Sequence, residues 1–238
     1  MSWCHLEERY GRLGLDTVIY PAVTYAEKGF PASRYLVDII ADTADTLARF
    51  PATAEVFLSG GAPPRVGQFI VRADYAGTLR LVAKDGADAL YRGAIGDMVV
   101  ADMQANGGII AAKDLEDYSF HYRDPVRGTY RGYEIASVGP TSSGGTHIVQ
   151  MLNILEAFDV TALGFGTSEY IHLLAESLKI AFADREKYLG DPNFVEVPVD
   201  GLTSKEYASR RRAEIDIQRA GEYSAGRPGT YLGESDNT

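Results

Sequence analysis

Several residue types on which whole classes of protein depend are scarce in this sequence of 238 residues. Cys4 is the only cysteine, so no disulfide can form within the chain and no cysteine cluster can bind a metal. No stretch approaches the ~20 apolar residues that a membrane-spanning helix needs. The first ten residues are polar and helix-like, so no signal peptide is expected within this chain, although one could precede it in a longer protein.

Positive charge and histidine are scarce as well. Lysine and arginine number 23 against 33 acidic residues, which leaves a net charge of −10 at pH 7. A nucleic-acid-binding surface needs clustered lysine and arginine, and the one basic run, Arg210–Arg212, is interpreted as the solvated face of a helix. The four histidines form none of the spacings that bind zinc. We therefore expect neither a nucleic-acid partner nor a metal.

Helical periodicity extends over most of the chain. Apolar residues recur at helical spacing in segments at about 3–12, 16–27, 33–50, 70–84, 92–105, 143–158, 167–188 and 204–215. A β-hairpin is predicted where residues 125–130 and 133–138 alternate as strands do, with the turn at Arg131 and Gly132. Residues 221–238 show no periodicity and are rich in glycine and serine, which predicts an exposed tail.

The segment Gly139–Thr146 admits three interpretations. It approaches a phosphate-binding P-loop, but Gly145 stands where that motif needs a lysine. It approaches a nucleophile elbow, but Thr141 stands two residues before Ser143, where a glycine is required. The favoured interpretation is that Ser142 or Ser143 caps the following helix. The glycines would then allow close packing at the start of that helix.

Four further polar positions have both a catalytic and a structural interpretation. His147 and His172 lie within apolar, periodic helices, and we interpret both as packed, hydrogen-bonded histidines. Asp184 and Arg185 stand near the end of a predicted helix. They form either an active-site ion pair or a contact that ties the helix end to the next loop, and the second is favoured.

A series of short strings then appears in a fixed order. They include Gly107-Gly108, Arg123–Pro125, Tyr130–Tyr133, Pro140–Gly145, Gln150–Glu156, Ala183–Arg185 and Tyr188–Pro192. Each string alone is weak, but their shared order over nearly the whole chain resembles that of the gamma-glutamyltranspeptidases. The family's usual string has two prolines before the paired serines, and here the second is Thr141. We expect a loop to tolerate this change.

This resemblance implies an α+β fold, the mostly helical portion of an αββα N-terminal-nucleophile hydrolase sandwich. It also implies a precursor that cuts itself before a threonine and needs no cofactor. The freed threonine would cleave gamma-glutamyl amides such as glutathione and pass the acyl group to water, amino acids or peptides. Its own α-amine can act as the base, whereas a peptide nitrogen cannot.

Glu234–Thr238 resembles the family's run into that threonine, so Thr238 is the candidate nucleophile; the alternative is an ordinary tail residue. Residues 1–220 would form the large-subunit scaffold, incomplete at both ends, and 221–238 the tail that leads to the processing site. Ser142, Ser143, Gly144 and Gly145 would lie near the site in a structural role.

The resemblance also implies what this chain would lack. The family's substrate-binding arginine and its small subunit have no counterpart here, so the substrate-binding residues are unknown and the chain alone should be inactive. Its partners would be gamma-glutamyl small molecules and the small subunit, in the periplasm or outside the cell. Two alternatives stay open: a glutaryl-type acylase of the same family, and a non-catalytic scaffold fragment.

Overall fold

A computed structural model describes residues 1–229 of the chain. The candidate nucleophile Thr238 lies outside the described residues. The chain divides into two compact units, one of residues Met1–His121 and one that begins at Tyr122. Across the described residues, no helix combines the length and the apolar character that crossing a membrane requires.

Unit 1 consists of helices joined by short turns. Its helices are α1 (Ser2–Tyr10), α2 (Leu15–Lys28), α3 (Arg34–Asp42), α4 (Ala44–Leu47), α5 (Pro51–Phe57), α6 (Ala73–Asp85), α7 (Asp88–Tyr91), α8 (Ala94–Ala105) and α9 (Ala112–Glu116). Two strands of two residues each, β1 (Phe30–Pro31) and β2 (Phe69–Ile70), pair antiparallel. This pair was not predicted, because two residues are too short to show an alternating pattern.

The helix predicted over residues 33–50 is interrupted. Ser33 caps α3 by accepting a hydrogen bond from the Leu36 N–H, but the helix ends at Thr43, whose hydroxyl bonds to the Ile39 carbonyl at 2.7 Å. The helical segment stops at Leu47, before Pro51, and Pro51 itself begins α5. A proline is favourable at a first helical position, because its missing N–H would have no partner there.

The buried residues of unit 1 are apolar. One cluster gathers Ala32, Ile40, Leu58 and Ile70 under α3 and α5. A second places Val23 and Ala26 of α2 against Ala76 of α6. Unit 1 is therefore held mainly by apolar burial, which carries no directional requirement.

Unit 2 contains the predicted β-hairpin, which is confirmed. Strands β3 (Val126–Tyr130) and β4 (Tyr133–Ser137) pair antiparallel, with Tyr130 opposite Tyr133. Arg131 and Gly132 both have positive φ, at 49° and 86°, as a two-residue type I′ turn requires. The Arg131 N–H also donates to Glu156 at 2.7 Å, which joins the turn to the end of the helix that follows.

In the part of unit 2 that the structure describes, five helices follow the hairpin: α10 (Gly144–Leu155), α11 (Val160–Leu163), α12 (Ser168–Tyr188), α13 (Val199–Leu202) and α14 (Lys205–Arg212). Ile154 of α10, Ile180 of α12 and Ala208 of α14 meet in one buried cluster. The predicted helices at 143–158, 167–188 and 204–215 correspond to α10, α12 and α14. The chain is thus an α+β protein that is mostly helical, as predicted.

Candidate functional site

The loop between β4 and α10 is shaped by the glycine at its end. The Gly145 N–H donates to the Val138 carbonyl at 3.1 Å, and a Cβ at Gly145 would collide with that carbonyl oxygen. The helix can therefore start directly beside the hairpin only because this residue has no side chain. Ser142 Oγ accepts a hydrogen bond from the Gly144 N–H at 3.3 Å, a contact two residues along the chain, while the N-cap position itself is held by Ser143.

Ser143 has a different partner. It precedes α10, but its side chain accepts no hydrogen bond from the helix; its Oγ accepts from Arg185 Nε at 3.0 Å. A guanidinium cannot take up a proton from a hydroxyl, so this contact orients Ser143 without activating it. The geometry thus supports a structural role for the paired serines and argues against the nucleophile elbow.

An open cavity of about 830 Å³ lies beside this loop. Its walls include Thr141 and Ser143 of the loop, Lys179 and Arg185 of α12, and Tyr223. Two acidic residues, Glu186 and Glu222, also line the cavity, so its walls carry charges of both signs.

Asp184 and Arg185 do not act as the predicted pair. Arg185 is exposed, whereas Asp184 is fully buried. One Asp184 oxygen accepts from Gln150 Nε2 at 2.5 Å and from the Tyr207 hydroxyl at 2.8 Å. The other accepts from the Gly226 N–H at 2.8 Å. Each residue ties the end of α12 to a different segment, because neighbouring positions on a helix point about 100° apart.

His147 is held in one tautomer by this network. Its Nδ1 lies 2.9 Å from Gln150 Oε1, and that amide is oriented because its nitrogen donates to Asp184. Nδ1 therefore carries the proton, which leaves Nε2 as an acceptor that is buried without a partner among the described residues. Burial lowers the pKa of His147, against opposing effects of Gln150 and Asp184. His172 bonds through Nε2 to the Asp216 carbonyl at 2.8 Å, so both histidines are packed and hydrogen-bonded, as predicted.

A second buried carboxylate on α12, Glu176, was not predicted as a site residue. It is 1% exposed and accepts hydrogen bonds from the Tyr223 hydroxyl at 2.5 Å, the Gly221 N–H at 3.0 Å and Lys179 Nζ at 2.6 Å. Burial raises the pKa of Glu176, but the bonds from Lys179, Tyr223 and Gly221 outweigh it and hold the pKa at about 2. The carboxylate is therefore charged at neutral pH.

These contacts show that residues 221–229, which we call the strap, are hydrogen-bonded to side chains of α12. An exposed tail was expected over 221–238, yet Gly221, Tyr223 and Gly226 of the strap bond to buried groups of α12, and Pro228 is itself buried. Glycine and serine content marks an irregular backbone, but it does not reveal a segment that side chains of other helices hold. The rest of the predicted tail lies outside the described residues.

The sequence does contain a signal for the two buried carboxylates. Glu176, Ile180 and Asp184 follow each other at a spacing of four on α12, so they lie on one stripe of the helix. A carboxylate on each side of a buried isoleucine indicates that the stripe faces polar partners. In the part of the chain that the structure describes, no group of three or more candidate ligands could hold a metal ion.

Comparison with known proteins gives a consistent picture. A family model described as gamma-glutamyltranspeptidase matches residues 1–238. The chain is 49% identical over 237 residues to the "Acylase ACY 1 proenzyme" of Pseudomonas sp. (strain SE83), covering 100% of this chain and 42% of that protein. It is 41% identical over 223 residues to the "Glutathione hydrolase proenzyme" of Escherichia coli (strain K12), covering 93% of this chain and 38% of that protein. The chain thus spans about two fifths of these relatives.

Solved structures agree with the sequence comparison. The gamma-glutamyltranspeptidase of Helicobacter pylori superposes with a TM-score of 0.88 at 36% identity, covering 98% of this chain and 68% of that one. The cephalosporin acylase of Bacillus halodurans also gives 0.88, at 30% identity, covering 95% of this chain and 43% of that one. These neighbours are N-terminal-nucleophile hydrolases, so the predicted fold class is confirmed.

Proposed function

This chain belongs to the gamma-glutamyltranspeptidase family, and from that premise we propose that it is the large-subunit portion of an amide hydrolase that acts through a threonine acyl-enzyme. The match of the family model over residues 1–238 carries the proposal. The relatives are named proenzymes, which supports a precursor that must be cut before it acts.

In this proposal Thr238 is the residue before which the precursor is cut. Cleavage of the peptide bond between Asn237 and Thr238 consumes one water, leaves a carboxylate on Asn237 and frees the α-amine of Thr238. That amine then takes the proton of the threonine hydroxyl, whose oxygen attacks the substrate carbonyl while the amine of the substrate leaves. Water or an amino group then releases the acyl group and restores the hydroxyl.

The described residues have a supporting role in the proposed reaction. Ser142 and Ser143 lie in the loop before α10 and Gly144 and Gly145 begin the helix; Gly145 permits contact with the hairpin and Ser143 bonds to Arg185. We propose that this loop lies beside the substrate pocket without supplying a nucleophile. The substrate contacts and the oxyanion donors would then come from the rest of the protein, which includes the small subunit.

Two acyl groups are candidates for the substrate. The first is gamma-glutamyl, as the names of the glutathione hydrolase relatives suggest. The second is a side-chain acyl group of the glutaryl type, which the 49% identity to the Acylase ACY 1 proenzyme favours. A gamma-glutamyl group differs from a glutaryl group by one α-amino substituent, so a single polar contact to that amine can decide between them.

Expression of the precursor that continues past Thr238 tests the proposal. Mass spectrometry should find two chains, the second beginning at Thr238, and Thr238→Ala should stay uncut. The processed protein should then hydrolyse gamma-glutamyl-p-nitroanilide, with glutaryl-p-nitroanilide as the matched substrate that lacks the amine. A precursor that is never cut would instead support the non-catalytic scaffold, and preference for the glutaryl substrate would support the acylase.

The chain of 238 residues by itself provides the negative control. Its Thr238 nitrogen is bound in a peptide, so it should hydrolyse neither anilide. Turnover by this purified chain would contradict the assignment of Thr238 and would direct attention to the described residues.

A further inference from the structure

The strap has no helix or strand of its own, and side chains of α12 and α14 satisfy much of its backbone. On the α12 side, Lys179 Nζ donates to the Gly221 carbonyl at 2.7 Å and the Tyr188 hydroxyl donates to the Gly226 carbonyl at 2.6 Å. On the α14 side, Arg211 donates to the Ser224 carbonyl at 2.8 Å. The strap is therefore an irregular segment held at fixed points, which is unusual for a surface loop.

Two of these points are buried carboxylates on one stripe of α12. Glu176 receives the Gly221 N–H and Asp184 receives the Gly226 N–H. The two carboxylates are eight residues apart, about 12 Å along a helix axis. The two N–H groups are five residues apart, at most about 17 Å of extended chain. The strap is therefore long enough to reach both carboxylates while it runs alongside α12, and the two hydrogen bonds fix its register.

The packing leaves little room for a side chain at either glycine. A Cβ at Gly226 would collide with the Tyr207 hydroxyl, and one at Gly221 would stand 2.7 Å from the Tyr223 hydroxyl. A Cβ at Gly201 of α13 would likewise collide with the Pro228 carbonyl. Tight packing and charge-assisted hydrogen bonds thus restrain the same segment independently.

We propose that Glu176 and Asp184, the clamp, are positioning residues for the cleavage before Thr238. This inference rests on the proposed function. The clamp holds the strap in one register, so that the twelve residues that follow Gly226, the last of which is Thr238, start from a fixed point. Restricting the freedom of a reacting segment before the reaction raises the rate of an intramolecular step. In this proposal the clamp acts through the strap and takes no part in the chemistry of the cleavage.

This role predicts that a substitution in the clamp slows processing and leaves the turnover of the processed protein unchanged. The clamp acts while Asn237 and Thr238 are joined, and its effect on Thr238 ends when that bond is cut. Glu176→Gln in the full-length precursor should therefore slow processing about 10-fold, the effect expected for one lost charge-assisted hydrogen bond. The fraction that has been cut should keep the wild-type kcat/KM on the anilide substrate.

Tyr223→Phe is a milder variant that removes one donor to Glu176 without changing charge. It should slow processing about 3-fold, as loss of a single hydrogen bond would, and it carries the test if Glu176→Gln does not fold. Glu222→Gln is the matched control, because it makes the same substitution at an exposed residue of the strap. It should be processed at the wild-type rate, and Thr238→Ala marks zero processing.

Hydrogen exchange of the Gly221 and Gly226 amides shows whether the strap is released. Faster exchange of these amides together with slow processing and a wild-type kcat/KM supports the clamp. Wild-type processing rates in Glu176→Gln and Tyr223→Phe would overturn it while leaving the proposed function intact. A parallel fall in processing, kcat/KM and melting temperature would also overturn it, because that is the response of a purely structural residue. A wild-type precursor that stays uncut overturns the proposed function and the clamp with it.

Discussion

The two units bury different kinds of side chain. Of the residues that the structure describes, all eight buried polar or charged ones lie in unit 2, and the buried clusters of unit 1 are made of aliphatic residues. Apolar burial stabilises a fold without specifying direction, whereas a buried carboxylate is tolerated only with its donors in place. The difference indicates that unit 1 needs volume to be filled and that unit 2 needs particular atoms to meet.

The largest expected effect comes from removing a buried carboxylate of unit 2. Asp184→Ala should destabilise unit 2 by about 3–5 kcal/mol, because Tyr207 and Gly226 lose their acceptor and the buried Arg211 guanidinium loses a nearby opposite charge. Urea denaturation combined with hydrogen exchange in α10, α12 and α14 measures this. The exposed Asp200→Ala is the control, expected to cost under about 0.5 kcal/mol. Equal stabilities of the two variants would contradict the comparison.

The stability of unit 1 should depend on the volume of its buried side chains. Ile40→Ala should cost about 2–5 kcal/mol, because it leaves a cavity in the cluster beneath α3, and Ile40→Val about 1 kcal/mol. The same denaturation experiment, followed by exchange in α3 and α5, measures both. Asp184→Asn keeps the shape of the side chain and removes its charge. If it still lowers the free energy of unfolding strongly, the stability of unit 1 depends on side-chain volume and that of unit 2 on charge. The comparison fails if Ile40→Ala and Ile40→Val are equally mild.

A pH-dependent effect should follow from Glu176. Its pKa in the folded protein is about 2, below its ordinary value of 4.5, so its contribution is present above pH 4.5 and is lost as the pH falls towards 2. The stability advantage of the wild type over Glu176→Gln should shrink by about 2 kcal/mol between pH 6 and pH 3. Denaturation of both proteins at each pH measures it, and a constant difference would show that Glu176 is not held in its charged form.

The smallest effect should come from an exposed ion pair of unit 1. Glu27 and Arg80 lie 2.7 Å apart, but both side chains are about half exposed. Glu27→Gln should therefore cost less than about 1 kcal/mol and should be indistinguishable from wild type in 1 M salt. A cost comparable with that of Asp184→Ala would mean that burial is not what separates the two kinds of carboxylate contact.

Much of the fold could be predicted from sequence, because the signals are local. The hairpin follows from two alternating runs around Arg131 and Gly132, which the structure places at positive φ. Helices α2, α8 and α12 were predicted within two residues or so of their ends, because apolar spacing and flanking glycine or threonine mark them. The break at Thr43 was missed, since apolar periodicity continues across it while a threonine hydroxyl bonds to the helix backbone.

The site was predicted less well, because its contacts join distant parts of the chain. Asp184 and Arg185 were treated as a pair, yet their partners are Gln150, Tyr207, Gly226 and Ser143. Glu176 was not predicted, because its donors Gly221 and Tyr223 stand more than forty residues later in the chain. No local pattern reports which irregular segment returns to a helix.

The sequence by itself determined most of the longer helices, the hairpin turn and the motifs whose order identifies the family, because each depends on neighbours a few positions away. It also marked Thr238 as the residue to test. Only the tertiary structure decided which carboxylates are buried, which tautomer His147 adopts and that the strap lies along α12. These properties depend on desolvation and on donors from remote segments, and a charged group is stable in an interior only where folding brings those donors to it.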